Sequence, residues 1–109
     1  MITARFQHEG HDYDLTNWVR FVSRAEKVES RWKLLTLEVI YVRDGIAAVG
    51  NAPTPDFGEV NGWPRKSYRF LAWHLGARGV KVREDLPGAD DEESVNEVMD
   101  RNRGWIDAE

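Results

Sequence analysis

The chain has 109 residues, of which 41% are hydrophobic and 31% are charged, and its net charge is −4 at pH 7. This length suits one domain with one core, and the acidic balance argues against a general nucleic-acid binder, which needs a basic surface to neutralise phosphates. Because cysteine is absent, disulfides, thiolate metal sites and a cysteine nucleophile are excluded.

Targeting and membrane signals are also missing from the sequence. The first ten residues contain no apolar run of the kind that a secretory signal needs, and no stretch approaches the ~18 apolar residues of a membrane span. The sequence therefore predicts a cytoplasmic protein without membrane contact.

The first half of the chain predicts a β-meander. Residues 2–8 alternate between mostly apolar side chains at even positions and polar side chains at odd positions, as a half-buried strand does. Alternation resumes over 15–27, and the stretch 32–44 is almost continuously apolar, which suits a strand covered on both faces. The Asp-Gly pair at 44–45 predicts a hairpin that leads into a short fourth strand at 46–49.

The second predicted strand divides its side chains between two faces. One face carries the charged residues Arg20, Arg24 and Glu26, so the opposite face is predicted to point inward. The inward face comprises Leu15, Asn17, Val19, Phe21, Ser23 and Ala25. Polar groups on an inner face need hydrogen-bond partners or a ligand, which makes Asn17 and Ser23 candidate ligand contacts.

Two helices are predicted after the strands. Three prolines and three glycines make residues 50–64 a surface linker. Apolar residues recur at helical spacing from Tyr68 to Leu75, and Gly79 offers a C-terminal stop. A second amphipathic stretch follows Asp90. Its predicted apolar face comprises Val95, Val98, Met99, Trp105 and Ile106.

Strands first and helices last are typical of α+β proteins. No internal repeat or low-complexity segment interrupts this order. The sequence predicts a single domain over 1–109, with the β-meander at 1–49, the linker at 50–64 and a C-terminal helical part at 65–107.

The segment QHEGHDYD at 7–14 gathers two histidines and three carboxylates around Gly10. A zinc site with His8 and His11 would need further ligands, and the one other histidine, His74, lies far along the chain in a predicted helix. A polar turn is the favoured interpretation, because glycine supplies a positive φ and aspartate bonds its own backbone. No metal is expected, and the alternative is His8 or His11 as a single acid/base at a cavity rim.

Glu38 is a candidate general base because it falls inside the most apolar predicted strand. An unpaired carboxylate there would have a raised pKa, which is how general bases are tuned. The alternative is an outward-facing Glu38 that pairs with Arg20 or Arg24. Tyr41 adds a phenol to the same strand, where it could orient a ligand in an apolar pocket or make an ordinary hydrogen bond.

Charge is segregated between two neighbouring segments. Residues 60–83 contain six basic side chains and no acidic one, whereas residues 84–100 contain eight acidic side chains and no basic one. The two segments are predicted to attract each other as solvated surfaces. The alternative is an anion-binding patch on the basic segment, formed by Arg65, Lys66, Arg69 and Arg78.

Three stretches together resemble the C-terminal part of SnoaL-like proteins, a family of the nuclear transport factor 2-like superfamily. They are the strand RWKLLTLEVIYVRD, the helix SYRFLAWHL and the connection DLPGADD, and the likeness spans about residues 13–107. The resemblance implies a strongly curved antiparallel sheet that encloses an apolar pocket in a cone. Members are dehydratases, isomerases, polyketide cyclases, epoxide hydrolases or ligand binders, and fold alone does not choose among these.

Two functional hypotheses follow. The first is a small cofactor-independent lyase, isomerase or cyclase, dehydratase-like, that acts on an apolar metabolite with Glu38, His8 and Tyr41 as catalytic candidates. Its substrate-binding candidates are Asn17, Ser23, Phe21 and Trp18. The second is a non-catalytic ligand-binding or dimerisation module of the same fold. Neither hypothesis calls for a cofactor.

The resemblance also implies N-terminal helices that close the cone, whereas the first predicted strand here already starts at residue 2. The sequence therefore predicts a cone truncated at its N-terminus. We expect a second copy, or a partner chain that supplies the lid, to cover the apolar surface of the sheet. No nucleic-acid partner is expected.

Overall fold

The computed structural model describes residues 1–55, 57 and 60–107. It has an α+β fold, as the sequence predicts, with a three-stranded antiparallel sheet followed by two α-helices. The elements are β1 (Ile2–His8), β2 (His11–Val28), β3 (Arg31–Ala48), α1 (Arg69–Ala77) and α2 (Glu92–Asp107). Short 3-10 turns at Val60–Gly62 and Lys66–Tyr68 precede α1. Three residues of the predicted linker, at positions 56, 58 and 59, lie outside the described residues.

Two tight turns connect the strands. His8 pairs with His11 across the first turn, whose central residues Glu9 and Gly10 both have positive φ, at 51° and 81°. Positive φ at both central positions defines the two-residue hairpin turn that matches the twist of the flanking strands. The prediction that QHEGHDYD forms a polar turn is confirmed.

The predicted hairpin at 44–45 and the fourth strand at 46–49 are wrong. Asp44 pairs with Asn17 and Gly45 pairs with Thr16, so β3 continues without a break to Ala48. The reason is that the Asp44 side chain turns toward α1 instead of folding back on its own backbone, as its contacts below show.

Two irregularities interrupt the pairing of β2 with β3. Trp18 lies opposite Arg43 while Val19 lies opposite Tyr41, which leaves Val42 as an extra residue on β3. A second shift between Arg24 and Ala25 leaves Leu35 extra in the same way. Such bulges bend a strand and increase its twist, so the long β2–β3 ribbon is bent at two points.

The apolar core lies where the sheet meets α1 and the 3-10 turn before it. Phe6, Tyr13 and Leu15 form one buried cluster, against which Phe70 and Trp73 pack. A second buried cluster is formed by Tyr68, Ala72 and Val82, with Tyr41, Trp63, Leu71, Leu75 and Leu86 packed against it. Burial of these side chains is the main source of stability in a domain of this size.

The predicted inward face of β2 is correct only for the first part of the strand. Leu15 and Asn17 are buried, whereas Phe21, Ser23 and Ala25 are exposed, Phe21 at 52%. The cause is that α1 is too short to cover the whole of this face. The nine residues of α1 span only ~13 Å, whereas the 18 residues of β2 have a length of about 60 Å measured along the bent strand. α2 packs on the opposite face, against Val22 and Arg24.

The overall shape is long and thin. The molecule measures 54 × 31 × 21 Å, and its radius of gyration is 17.2 Å, against roughly 13 Å for a compact chain of this length. Its accessible surface is 7701 Å², against about 6,200 Å² for a compact monomer of this mass. The far part of the ribbon, residues 19–37, accounts for the elongation, and it exposes Leu37 at 54% and Trp32 at 73%.

Candidate ligand-binding groove

A groove of about 470 Å³ lies beside α1. One wall is the helix, and the opposite wall is the segment 79–82 that follows it. Ala72, Gly76 and Ala77 face the groove, and their small side chains leave the space open. Gly76 is exposed to solvent, and a Cβ added there would meet no atom within 4 Å.

Two indole rings contribute the aromatic surface of this groove, from Trp63 and Trp73. Trp73 is fixed from behind by edge-on contacts with Phe6 and Phe57, at ring-centroid distances of 6.3 and 5.0 Å. Trp63 stands edge-on to Tyr68 at 6.3 Å. Its indole nitrogen is buried and has no hydrogen-bond partner among the described residues. A buried donor of this kind is costly to leave unpaired.

The charged residues that line the groove are both cations. Arg69 lies in the first turn of α1, and Lys81 lies on the facing segment. Among the described residues that line the groove there is no carboxylate. The arrangement can hold an apolar body between aromatic walls and an anionic group at the cations.

A second, smaller cleft of about 200 Å³ brings two histidines together between β1 and α1. The His8 ring lies 5.0 Å from Trp73 and the His74 ring 4.2 Å from Phe6, measured between centroids. Burial, with a smaller contribution from the positive charge of Arg78, lowers the pKa of His74. Sequence reasoning treated His74 as a structural residue and did not place it beside His8.

Glu38 is tied to α2. Arg101 donates to one carboxylate oxygen of Glu38, and the Asn102 amide donates to the other at 2.7 Å. These hydrogen bonds, from Asn102 first and then Arg101, hold the pKa of Glu38 below its ordinary value. The predicted alternatives Arg20 and Arg24 are not its direct partners. Arg24 instead donates to the side-chain oxygen Oδ1 of Asn102 at 2.8 Å.

Tyr41 lies in the second core cluster, 5.3 Å from the Tyr68 ring. Burial raises the pKa of its phenol. Its backbone N–H donates to the Pro87 carbonyl at 2.9 Å, and its carbonyl accepts the N–H of Ala89 at 2.8 Å. These hydrogen bonds attach the segment before α2 to β3. The three predicted catalytic side chains therefore lie in three separate places: Tyr41 in the core, Glu38 under α2 and His8 in the cleft.

The four predicted substrate-binding residues are also dispersed. Asn17 is buried in the sheet, and its side-chain oxygen has no partner among the described residues. Ser23 lies at a third cleft, of about 250 Å³, between β2 and α2. Phe21 points into solvent, and Trp18 is half-buried under the guanidinium of Arg43, which lies 4.2 Å from its ring centroid.

Asp44 is a structural site that sequence reasoning missed, because the Asp-Gly pair resembled a turn. Its two carboxylate oxygens accept the backbone N–H groups of Phe70 and Leu71 at 3.2 and 2.8 Å. Burial raises the pKa of Asp44, against the lowering effect of these two N–H groups and of Arg69. Asp44 thus anchors the N-terminus of α1, and with it Arg69, on the sheet.

The basic and acidic segments do meet, at Arg65. This guanidinium is buried and donates to both oxygens of Asp90 at 3.1 Å, to the Tyr68 hydroxyl at 3.2 Å and to the carbonyl of Glu84. Arg65 is therefore unavailable to an external anion. Of the predicted basic patch, Arg69 instead lines the groove.

No group of three or more potential metal ligands occurs in the part of the chain that the structure describes. Within the same residues, neither helix combines the length and the apolar character that a membrane crossing requires.

Comparison with known proteins finds relatives in a fungus. No family model matches the chain. Over 91 residues it is 36% identical to a PEP2-like protein of Fusarium vanettenii, and over 90 residues it is 32% identical to pea pathogenicity protein 2 of the same organism. These alignments cover 81% and 80% of the chain but 39% and 38% of the relatives, so the chain spans about two fifths of the length of the curated proteins it matches. Neither relative's name specifies a ligand or a reaction, so a functional assignment rests on the geometry of the groove.

Proposed function

We propose that the chain is a small-molecule-binding module and that the groove beside α1 is its binding site. The observation that carries the proposal is a cavity of about 470 Å³ whose described lining combines two indole rings, small helix residues and two cations. Ligand sites are usually concave, mostly apolar and equipped with a few polar groups that fix orientation.

A fragment screen by two-dimensional amide NMR tests this proposal. Aromatic and aliphatic fragments should shift the amide resonances of Ala72, Gly76 and Val80 more than those of the ribbon. The variant Gly76→Phe fills the groove without backbone strain and should abolish these shifts, whereas Gly104→Ala on α2 should leave them unchanged. Shifts that cluster on the ribbon, or that persist in Gly76→Phe, would contradict the proposal.

A second candidate function is the cofactor-independent lyase, isomerase or cyclase. It is favoured by the meeting of His8 and His74 at one cleft, since a proton transfer at neutral pH suits a histidine, and burial favours the neutral, basic form of His74. In this proposal Glu38 and Tyr41 take no direct part in the chemistry, because neither lines the cleft.

Proton exchange is the readout for the enzyme proposal. Wild-type protein should accelerate the uptake of solvent deuterium next to the carbonyl of small ketones, and His8→Asn and His74→Asn should each remove the acceleration. His11→Asn is the matched control, because His11 is exposed at the turn and does not line the cleft. Equal rates in all four proteins would contradict the candidate.

We propose further that the sheet is part of a SnoaL-like cone. Support comes from the two bulges that bend the β2–β3 ribbon and from the apolar face that the ribbon leaves exposed. In a longer protein, such as the curated relatives, additional segments would cover that face. A solved structure of a full-length relative tests this architecture, and a flat sheet in that structure would contradict it.

A further inference from the structure

We propose that the groove beside α1 takes an anionic amphipathic molecule, with an apolar body and one carboxylate or sulfonate group. This inference rests on the proposed function, because it assigns a ligand class to the same groove.

The groove is lined by positive charges, although the protein as a whole is negatively charged. The chain as a whole is acidic, with a net charge of −4, yet the charged side chains in the described lining are Arg69 and Lys81. They lie on opposite walls, one at the start of α1 and one on the segment after it. A cation in the first turn of a helix faces the positive end of the helix dipole, which is unfavourable without an anion nearby. Asp44 supplies part of that compensation from the sheet, and a bound acid group would add to it.

The size of the groove requires an apolar body as well. A volume of about 470 Å³ is within the usual range for drug-sized ligands, and a bare inorganic anion would fill only a small part of it. Trp63, Trp73, Val80 and Val82 line the remaining space, and burial of an apolar body against them is the main source of affinity.

Two fluorescent probes that share one skeleton test the ligand class. The probe 8-anilinonaphthalene-1-sulfonate carries the acid group, and N-phenyl-1-naphthylamine is its neutral counterpart. Wild-type protein should bind the sulfonate at one site at least tenfold more tightly than the neutral probe. Added salt should weaken only the sulfonate, because screening acts on the charged pair.

Variants assign the difference to the groove. Arg69→Gln and Lys81→Gln should each weaken sulfonate binding by about 3- to 10-fold and leave the neutral probe within twofold. Lys66→Gln is the matched control, because Lys66 is an exposed cation of the same segment outside the groove.

The outcomes separate the inference from the proposal on which it rests. Equal affinity for the two probes, or equal losses for both in the glutamine variants, would overturn the ligand class while leaving the groove as a binding site. Unchanged binding of both probes to Gly76→Phe would show that the groove is not the site and would overturn the proposed function itself. The salt dependence of wild-type binding keeps the test decisive if a variant is poorly folded.

Discussion

The Asp44 carboxylate caps the N-terminus of α1, a helix that begins 25 residues later in the chain. The residues that precede α1 supply no side-chain cap to its first N–H groups, and Asp44 accepts two of them from the neighbouring strand. An unsatisfied helix N-terminus is costly, so this contact couples α1 to the sheet.

Asp44→Ala should lower the free energy of unfolding by about 1–2 kcal/mol, the usual cost of losing a cap. Urea denaturation followed by circular dichroism measures this change. Asp14→Ala is the control, because its pair with Arg5 is exposed on the sheet surface, and exposed pairs contribute less than about 1 kcal/mol. Equal losses in the two variants would show that Asp44 does not cap α1.

Glu38 predicts a pH dependence with a definite sign. Its pKa in the folded protein is lower than the ordinary value of 4.5, so the unfolded chain binds the proton more readily. The stability that Glu38 contributes is therefore complete above its ordinary pKa and is lost as the pH falls through the lowered value.

The difference in unfolding free energy between wild type and Glu38→Gln should be largest at neutral pH and should vanish in acid. Chemical denaturation at several pH values between 7 and 3 measures it. Asp44 acts with the opposite sign, because its raised pKa lowers stability as the pH rises, but it contributes equally to both proteins. A difference that does not depend on pH would contradict the assigned role of Glu38.

At the scale of elements, Arg65 holds together the segment that joins α1 to α2. It contacts Asp90, Glu84 and Tyr68 from a buried position. Gly88 lies so close that a Cβ would be 2.7 Å from Asp90 Oδ1. The segment is therefore folded tightly around one guanidinium.

Arg65→Met should cost about 3–5 kcal/mol of stability, because it leaves the mostly buried Asp90 carboxylate without its partner. The double variant Arg65→Met with Asp90→Asn should recover part of this loss, and a double-mutant cycle in urea measures the coupling. Arg83→Met, which breaks the exposed pair with Asp85, should cost less than about 1 kcal/mol. An equal loss for Arg65→Met and Arg83→Met would contradict the buried role.

Local sequence signals predicted the kinds of elements well, because alternation and helical spacing are properties of short stretches. The first hairpin was identified from Gly10, and both helices were found from their apolar residues. The Asp44–Gly45 pair was misleading, because Asp-Gly favours a turn only when no distant element needs the carboxylate. That need is fixed by the contact with α1, which no local pattern contains.

The site was harder to predict for the same reason. Groove residues come from α1, from a 3-10 turn and from the segment 79–82, so the groove exists only once these pack together. The spacing of Ala72, Gly76 and Ala77 was a usable signal, since small residues on one helix face indicate close packing or open space. Glu38 and Tyr41 were predicted as site residues because they are polar side chains in an apolar strand. That pattern does not show that α2 hydrogen-bonds Glu38 or that Tyr68 packs against Tyr41.

The whole molecule exposes more surface than a monomer of its mass should. The excess is about 1,500 Å² relative to a compact chain, comparable to the total of about 1,600 Å² buried in a standard protein interface. The β2–β3 ribbon beyond β1 also has open backbone edges, and an isolated two-stranded ribbon is marginally stable in water. When the chain is on its own, we expect a second copy to cover the exposed face.

Sedimentation of the 12.6 kDa chain at tens of micromolar should reveal a dimer. Phe21→Ser and Leu37→Ser, which remove apolar area from the exposed face, should shift the protein toward monomer by tenfold or more in dissociation constant. Ile106→Ser on α2 removes a comparable exposed apolar side chain elsewhere and should have no effect. A wild-type monomer, or equal effects of all three variants, would show that the ribbon is not a self-association surface.

The two hairpin turns differ in a way that bears on folding kinetics. The first turn has one non-glycine residue at positive φ, Glu9, followed by Gly10, whereas the second turn has two, Glu29 and Ser30, at φ values of 51° and 68°. Non-glycine residues in this region cost of order 1 kcal/mol each. The β1–β2 hairpin should therefore form early in folding, and the β2–β3 ribbon should form late. The apolar strands of the ribbon would then remain unpaired until the slowest step of folding, and unpaired apolar strands make a nascent chain prone to aggregate.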